Sequence, residues 1–325
     1  MSNTAKLIFL LVFTTLVCQA QSDTDYLLQQ GRAALEKNDF EQAFQAFEKA
    51  HLASPSDPEP AYWLARLELS RGNAQRAVNL LETVTSKSAD HAEYQYWYGT
   101  ALAANINNLG KLKQLSQARR MRKAWERAIA IDPGHLPARI GLLQYYLQAP
   151  GIAGGSRKKA LAMAEELTKL DKIAGFRAMV AIHLNDKEYE KAIKVLVQAI
   201  SSMPGKHELY LELGWVYLQQ ENWQMARQQF QELLKIEPEN MNALYQLGRT
   251  ALFSGMNMEE GRACLEKYLS LSPSGDMPSS AWAHTRLGQL LAKMGRESEA
   301  RRHLEKALSL DPKIKEAEKA LAEIN

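Results

Sequence analysis

Little in this 325-residue chain lends itself to covalent chemistry. It has two cysteines, Cys18 and Cys264, too few for a disulfide scaffold. Its histidines (His51, His91, His135, His183, His207, His284 and His303) are dispersed. None forms an HExxH pair or has a Cys partner at metal-ligand spacing. There is no Gly-x-Ser-x-Gly elbow, and the acidic pairs Glu165-Glu166 and Glu259-Glu260 fall in helical surface patterns. These gaps leave no catalytic residue, metal site or cofactor to assign, and the chain is not expected to be an enzyme. The net charge is only +3, so nothing global argues for nucleic-acid binding. After the first twenty residues no run is long and apolar enough to cross a bilayer, and a mean hydropathy of −0.35 fits a soluble protein. What the chain does have is 46% apolar residues, ample for a large buried core.

The N-terminus reads as an export signal over residues 1–20. Lys6 supplies a positive flank, and Leu7 to Val17 is a mostly apolar run too short to span a bilayer. Cys18-Gln19-Ala20 then offers small residues at −3 and −1 for cleavage before Gln21. Lipid attachment at Cys18 is the weaker reading, because Val17 stands where a lipobox wants a small residue. After cleavage only Cys264 remains, among Leu265, Tyr268 and Leu269, as a small core hydrophobe rather than a reactive thiol. The expected compartment is the periplasm.

The chain from residue 21 to 325 is organised by a period. In 207–238, Tyr210, Leu213, Gly214 and Tyr217 share one helical face, and Ala226, Phe230 and Leu233 share a second. Asn222 marks the bend between them, and Pro238 ends the second helix because its ring clashes with the preceding turn. Counting from His207, Gly214 is position 8, Ala226 is 20, Phe230 is 24 and Pro238 is 32. The same set recurs in units starting near 24, 58, 92, 136, 173, 207, 241 and 281. Gly31, Ala43, Phe47 and Pro55 belong to the first, Ala65, Ala77 and Leu81 to the second, and Gly99 to the third. Gly248, Gly261, Leu265 and Pro273 belong to the seventh, whose second half sits one residue late. Gly288, Ala300, Leu304 and Pro312 belong to the eighth. Residues 313–325 read as one more amphipathic helix, a cap.

A 34-residue step with small residues at 8 and 20, an aromatic or Leu at 24 and Pro at 32 resembles the tetratricopeptide repeat (TPR). The resemblance implies an all-α fold: a right-handed solenoid of about eight helical hairpins forming one continuous domain with a C-terminal capping helix. Small residues at 8 and 20 let the two helices of a hairpin, A and B, approach closely. The residue at 24 is expected to fill the gap to the next unit.

The period breaks most in units three and four, in the turns between helices A and B. One insert includes residues 105–110, the other is the Gly-rich 149–156. In a solenoid such turns share an edge, so the two inserts should be neighbours. From Tyr94 to Ala164 the only acids are Glu126 and Asp132, against Lys111, Lys113, Arg119, Arg120, Arg122, Lys123, Arg127, Arg139, Arg157, Lys158 and Lys159. This basic edge is either a solvated helix face or a docking surface for an acidic partner, an anionic lipid, a glycan or a cell-wall polymer. Its glycines do not fit a nucleotide phosphate loop.

The resemblance also implies a concave groove built from helix A, with positions 2, 5, 9 and 12 facing it, of which 2, 5 and 9 supply the candidate residues. Carried over by residue, these give Arg32, Tyr62, Arg66, Tyr96, Arg177, Trp215, Tyr245, Arg249 and Trp282. Arg, Tyr and Trp are the residue types that dominate binding hot spots. The expected function is therefore an exported, non-enzymatic scaffold or adaptor that holds a protein or peptide in this groove.

Overall fold

A computed structural model describes residues 23–275 and 277–324 of the chain. The segment read as an export signal, Cys18 included, lies outside the described residues. Among the described residues there are seventeen α-helices and no strand, so the all-α class expected from the period is the observed one. Contacts divide the chain into two compact units, residues 1–178 and 179–325.

In the first unit α1 (23–36) pairs with α2 (Phe40–Ala53), and α3 (Pro58–Ser70) with α4 (Ala74–Lys87). Then α5 (Ala92–Asn105) pairs with α6 (Lys111–Ile131), and α7 (Leu136–Gln148) with α8 (Arg157–Leu170). The division between the units falls inside α9 (Lys172–Asn185). The second unit continues with α10 (Tyr189–Ser202), then the hairpins α11 (Glu208–Gln219) with α12 (Trp223–Ile236), α13 (Met241–Ser254) with α14 (Met258–Ser270), and α15 (Ser280–Lys293) with α16 (Glu297–Leu310). A last helix, α17 (Lys315–Glu323), lays Ala317 and Ala320 against Ala281, Leu304 and Ala307.

One contact recurs in both units and sets how closely the helices pair. Phe47 of α2 packs against Gly31 of α1, Phe230 of α12 against Gly214 of α11, and Leu265 of α14 against Gly248 of α13. A Cβ on any of these glycines would fall well inside 3.0 Å of the ring or the leucine. Phe47 and Phe230 are fully buried, and so are the small residues Ala43, Ala77, Ala192, Ala226 and Ala300. The residue at position 24 therefore fills a socket in its own hairpin first, which corrects the expectation that it mainly bridges to the next. Phe47 does both: its ring also stacks on Trp63 of α3 at 5.6 Å and 11°.

The turn between the paired helices has its own signature. Asn38, Gly72, Lys187, Glu221, Gly255 and Gly295 all have positive φ, from 55° to 81°, and all stand fifteenth in their units. Side-chain caps then start the next helix: Asp39 accepts from the Gln42 N–H at 2.9 Å, and Asn222 from the Met225 N–H at 3.3 Å. The late second half of unit seven is one extra turn residue, Asn257, also left-handed at φ 53°. In unit three the insert becomes a short 3-10 turn, Ile106–Asn108, and added turns at the start of the 21-residue α6. Trp125, ten residues late in sequence, still covers Gly99, and it also covers Gly141 of α7.

Replacing Gly214 with Ala puts a methyl where the Phe230 ring lies, so a loss of about 1–3 kcal/mol is expected. Phe230→Ala should cost about 3–5 kcal/mol. The double variant should lose less than the sum, because the emptied socket accepts the methyl. Urea unfolding measures all three against Gly205→Ala, whose added Cβ meets nothing within 4 Å. A Gly214→Ala curve that overlays that control contradicts the socket.

Candidate functional site

In the first unit the sequence repeats Glu-x-x-Tyr-Trp one period apart, as Glu59/Tyr62/Trp63 on α3 and Glu93/Tyr96/Trp97 on α5. Helical spacing puts each Trp one turn after its Glu. The Trp63 indole N–H donates to Glu59 at 3.1 Å and the Trp97 N–H to Glu93 at 2.9 Å. Both rings are thereby fixed, and the Arg66 guanidinium lies between them, 4.6 Å from each ring centroid. Arg66 also donates to the Tyr62 hydroxyl at 3.2 Å. On the far side of Glu93 stands His135, 3.1 Å away. The Nδ1 of His135 accepts from the Ala138 N–H at 3.1 Å, so Nε2 carries the proton that goes to Glu93. Arg32 of α1 pairs with Glu59. This is a pre-ordered row of rings and cations on the first helices of adjacent hairpins.

In the second unit the corresponding face carries Trp215 on α11, 43% exposed, and Phe253 on α13, 48% exposed. Arg249 lies one turn before Phe253 with its guanidinium 5.7 Å from that ring. Arg286 of α15 lies 5.7 Å from the same ring and 5.1 Å from the Trp282 ring. Each arginine is held by a neighbouring amide, Arg249 by Gln246 and Arg286 by Gln289, both at 3.0 Å.

Not every residue expected in the groove offers itself to a ligand. Tyr62 and Tyr245 are both 6% exposed. Tyr62 packs on Trp63 and Tyr94, and Tyr245 on Tyr268 at 5.2 Å. Their rings belong to the stack, a correction to the reading that they line the groove freely. Tyr96 is half-buried between Trp97 and His135, and Arg177 is exposed on α9. Trp63, Trp97, Phe253 and Arg286 escaped the sequence reading, which carried over positions 2, 5 and 9 and left out 6 and 13. The recurring Glu-x-x-Tyr-Trp was the signal that could have found two of them.

The basic edge is less bare than its own stretch of sequence implied. Glu82 pairs with Arg120 at 2.6 Å, Asp90 with Arg127, and Glu166 with Arg139 at 3.7 Å. All three acids come from outside the acid-poor span. Arg122 lies 3.4 Å from Glu126. Lys111, Lys113, Arg119, Lys123, Arg157, Lys158 and Lys159 are exposed, with Lys159 5.5 Å from the Tyr146 ring. The two inserts do come together. Ile106 and Lys111 from one, and Ala149, Pro150, Ile152 and Ala153 from the other, line an open, mostly apolar cavity of about 660 Å³ floored by Trp125. The Tyr145 hydroxyl donates to the Ala153 carbonyl and pins the second insert over it.

Among the described residues no three His, Cys, Asp or Glu side chains converge to hold a metal, and no helix is long and apolar enough to cross a membrane. Cys264 is half-buried on α14, and burial pushes its thiol up to about 11, so at neutral pH it stays protonated and unreactive.

Family models described as tetratricopeptide repeat match residues 34–106, 183–248 and 239–313. The chain belongs to the tetratricopeptide-repeat family. A tetratricopeptide repeat protein from Parabacteroides merdae ATCC 43184 superimposes with a TM-score of 0.50 at 12% identity, over 93% of this chain and 99% of that one. A thermophilic TPR protein of Thermus thermophilus has a TM-score of 0.48 at 19% identity, over 60% of this chain and 99% of that one. The Parabacteroides likeness is one of fold. No curated protein matches the chain. TPR repeats generally mediate protein–protein interaction, and proteins built of them are typically scaffolds without catalysis.

One consequence for pH comes from a pair that the sequence left far apart. His284 of α15 and His303 of α16 share a hydrogen bond between their Nδ1 atoms at 2.9 Å. Burial, then the charge of His303, then that of Lys306 hold His284 down to about 4, and burial lowers His303 from its ordinary value. Below the ordinary value of 6.5, the unfolded chain takes up protons that the folded pair resists. Stability of the second unit should therefore be full above 6.5 and fall as the pH drops toward about 4. Urea midpoints across that window should show the slope in the parent and a shallower one in His284→Gln. Parallel slopes contradict the assignment.

Proposed function

We propose that this protein is an exported scaffold or adaptor that binds a protein or peptide partner along the first-helix faces of its hairpins, in the periplasm of a Gram-negative cell. The observation that carries the binding reading is the pairing of ordered aromatic rings with guanidiniums on those faces. It occurs in both units, as Trp63–Arg66–Trp97 and as Arg249–Phe253–Arg286. Large rings lose few rotamers on binding, and arginine forks carboxylates and carbonyls. Together they suit an extended peptide or a partner helix. The export reading rests on Lys6, the apolar run Leu7 to Val17 and the small residues before Gln21.

A second reading has one observation in its favour. Lys111, Lys113, Arg119 and Lys123 lie exposed on α6 with no carboxylate partner among the described residues. On this reading they would bind an anionic lipid, glycan or cell-wall polymer. Crosslinking in the native compartment, followed by identification of what is captured, separates the two. Trp215→Ala and Arg249→Ala should each lose the partner protein. Replacing Lys111, Lys113, Arg119 and Lys123 with Ser should leave that capture unchanged. If the two groove variants capture the same partner as the parent, the groove reading fails.

A further inference from the structure

Arg249 and Arg286 share one aromatic ring, Phe253, without sharing a carboxylate. Arg32, Arg76, Arg227 and Arg262 each have a carboxylate within 4 Å. Among the described residues neither Arg249 nor Arg286 has one, although both stand over the Phe253 ring. Two cations held against one ring repel each other. Nearby amide oxygens satisfy one N–H of each but bring no negative charge. The Nε of Arg286 is buried and, among the described residues, donates to no carboxylate of the fold. Burial, together with the charge of Arg286, holds Arg249 below the ordinary guanidinium value. Two half-buried guanidiniums sharing one ring without a carboxylate make a cationic patch that favours an anion from outside.

The surroundings specify the kind of anion. A free inorganic ion has no use for rings, yet the pair is flanked by exposed Phe253 and half-buried Trp282. One hairpin earlier, Trp215 holds on α11 the register position that Arg249 holds on α13. Aromatic surface therefore lies on α11 to one side of the pair and on α15 to the other, so the bound chain continues past the charge in both directions. We infer that Arg249 and Arg286 form a receptor for the side-chain carboxylate of an internal Asp or Glu in an extended peptide, with apolar residues of that peptide on Trp215 and Trp282. This deepens the groove reading proposed above and rests on it.

Pooled peptide libraries test it on the full-length protein. Each member is acetylated and amidated, with a fixed Glu between two apolar positions and random neutral residues elsewhere. A second pool has Gln in place of the Glu. A third has that Gln and a free C-terminal carboxylate. Retention on the immobilised protein is quantified by mass. The parent should retain the Glu pool about tenfold better than the Gln pool, as a desolvated charge-assisted contact does. Arg286→Gln should bring that ratio to about one, while Arg286→Lys, which keeps the charge, should retain part of it. Trp215→Ala should weaken both pools with the ratio intact. Equal retention of Glu and Gln pools by the parent overturns the carboxylate receptor and leaves the groove reading standing. Retention of the third pool as strong as that of the first assigns the pair to a chain terminus and overturns the internal-residue proposal. Retention of none overturns both readings.

Discussion

The structure depends on a ring lying on a glycine. Each of the better-formed hairpins joins its two helices where a bulky side chain at position 24 covers a Gly at position 8, as Phe47 covers Gly31 and Phe230 covers Gly214. The glycine's lack of a side chain is what gives the ring its seat, and the ring's burial is what holds the helices at that distance. Leucine in that place does the same on Gly248 and Gly288. Without the seat, a pair of one-sided amphipathic helices has many ways to pack and little reason to choose one. With it, helix A is held with one face turned to its neighbours and another left over. The leftover face is the one that carries Arg66, Trp215 and Arg249.

That division of labour explains which expectations survive contact with the structure. The all-α hairpin class was legible because it follows from a period, and a period is a property of sequence. Trp125 keeps the position-24 role despite its displacement, since the added residues become turns of α6 and leave its socket on Gly99 intact. The site was less legible. A register position tells which side of the helix a residue is on, not how deep it sits. Tyr62 and Tyr245 share a register and are buried by aromatic neighbours from adjacent helices, Tyr94 and Tyr268. Trp97, one position on from Tyr96, ends up beside Arg66 because Glu93 fixes its indole. Arg286 was passed over for the same reason. Its role comes from α13, where Arg249 and Phe253 wait for it. Charge was misleading in a similar way: a span poor in acids borrows Glu82, Asp90 and Glu166 from outside itself.

The two units offer the same ingredients in different states. In the first, Arg66 is clamped between indoles whose own N–H groups are satisfied by glutamates, one of which also pairs with Arg32. In the second, two guanidiniums meet on one ring with no carboxylate beside them among the described residues. A face that is internally neutralised selects by shape and stacking; one that is left cationic selects by charge as well. The cavity between the inserts adds a third kind of surface, apolar and pinned in place by Tyr145.

The central claim is that partners dock on the first-helix faces and not on the second. A photo-crosslinking amino acid tests this most directly, placed either at Gln219, one turn past Trp215 on α11, or at Lys235 on α12, both exposed. Irradiation in the native compartment should yield one discrete adduct from position 219, absent from position 235 and abolished by adding Trp215→Ala. An adduct formed equally from both positions, or one that persists without Trp215, would contradict the account.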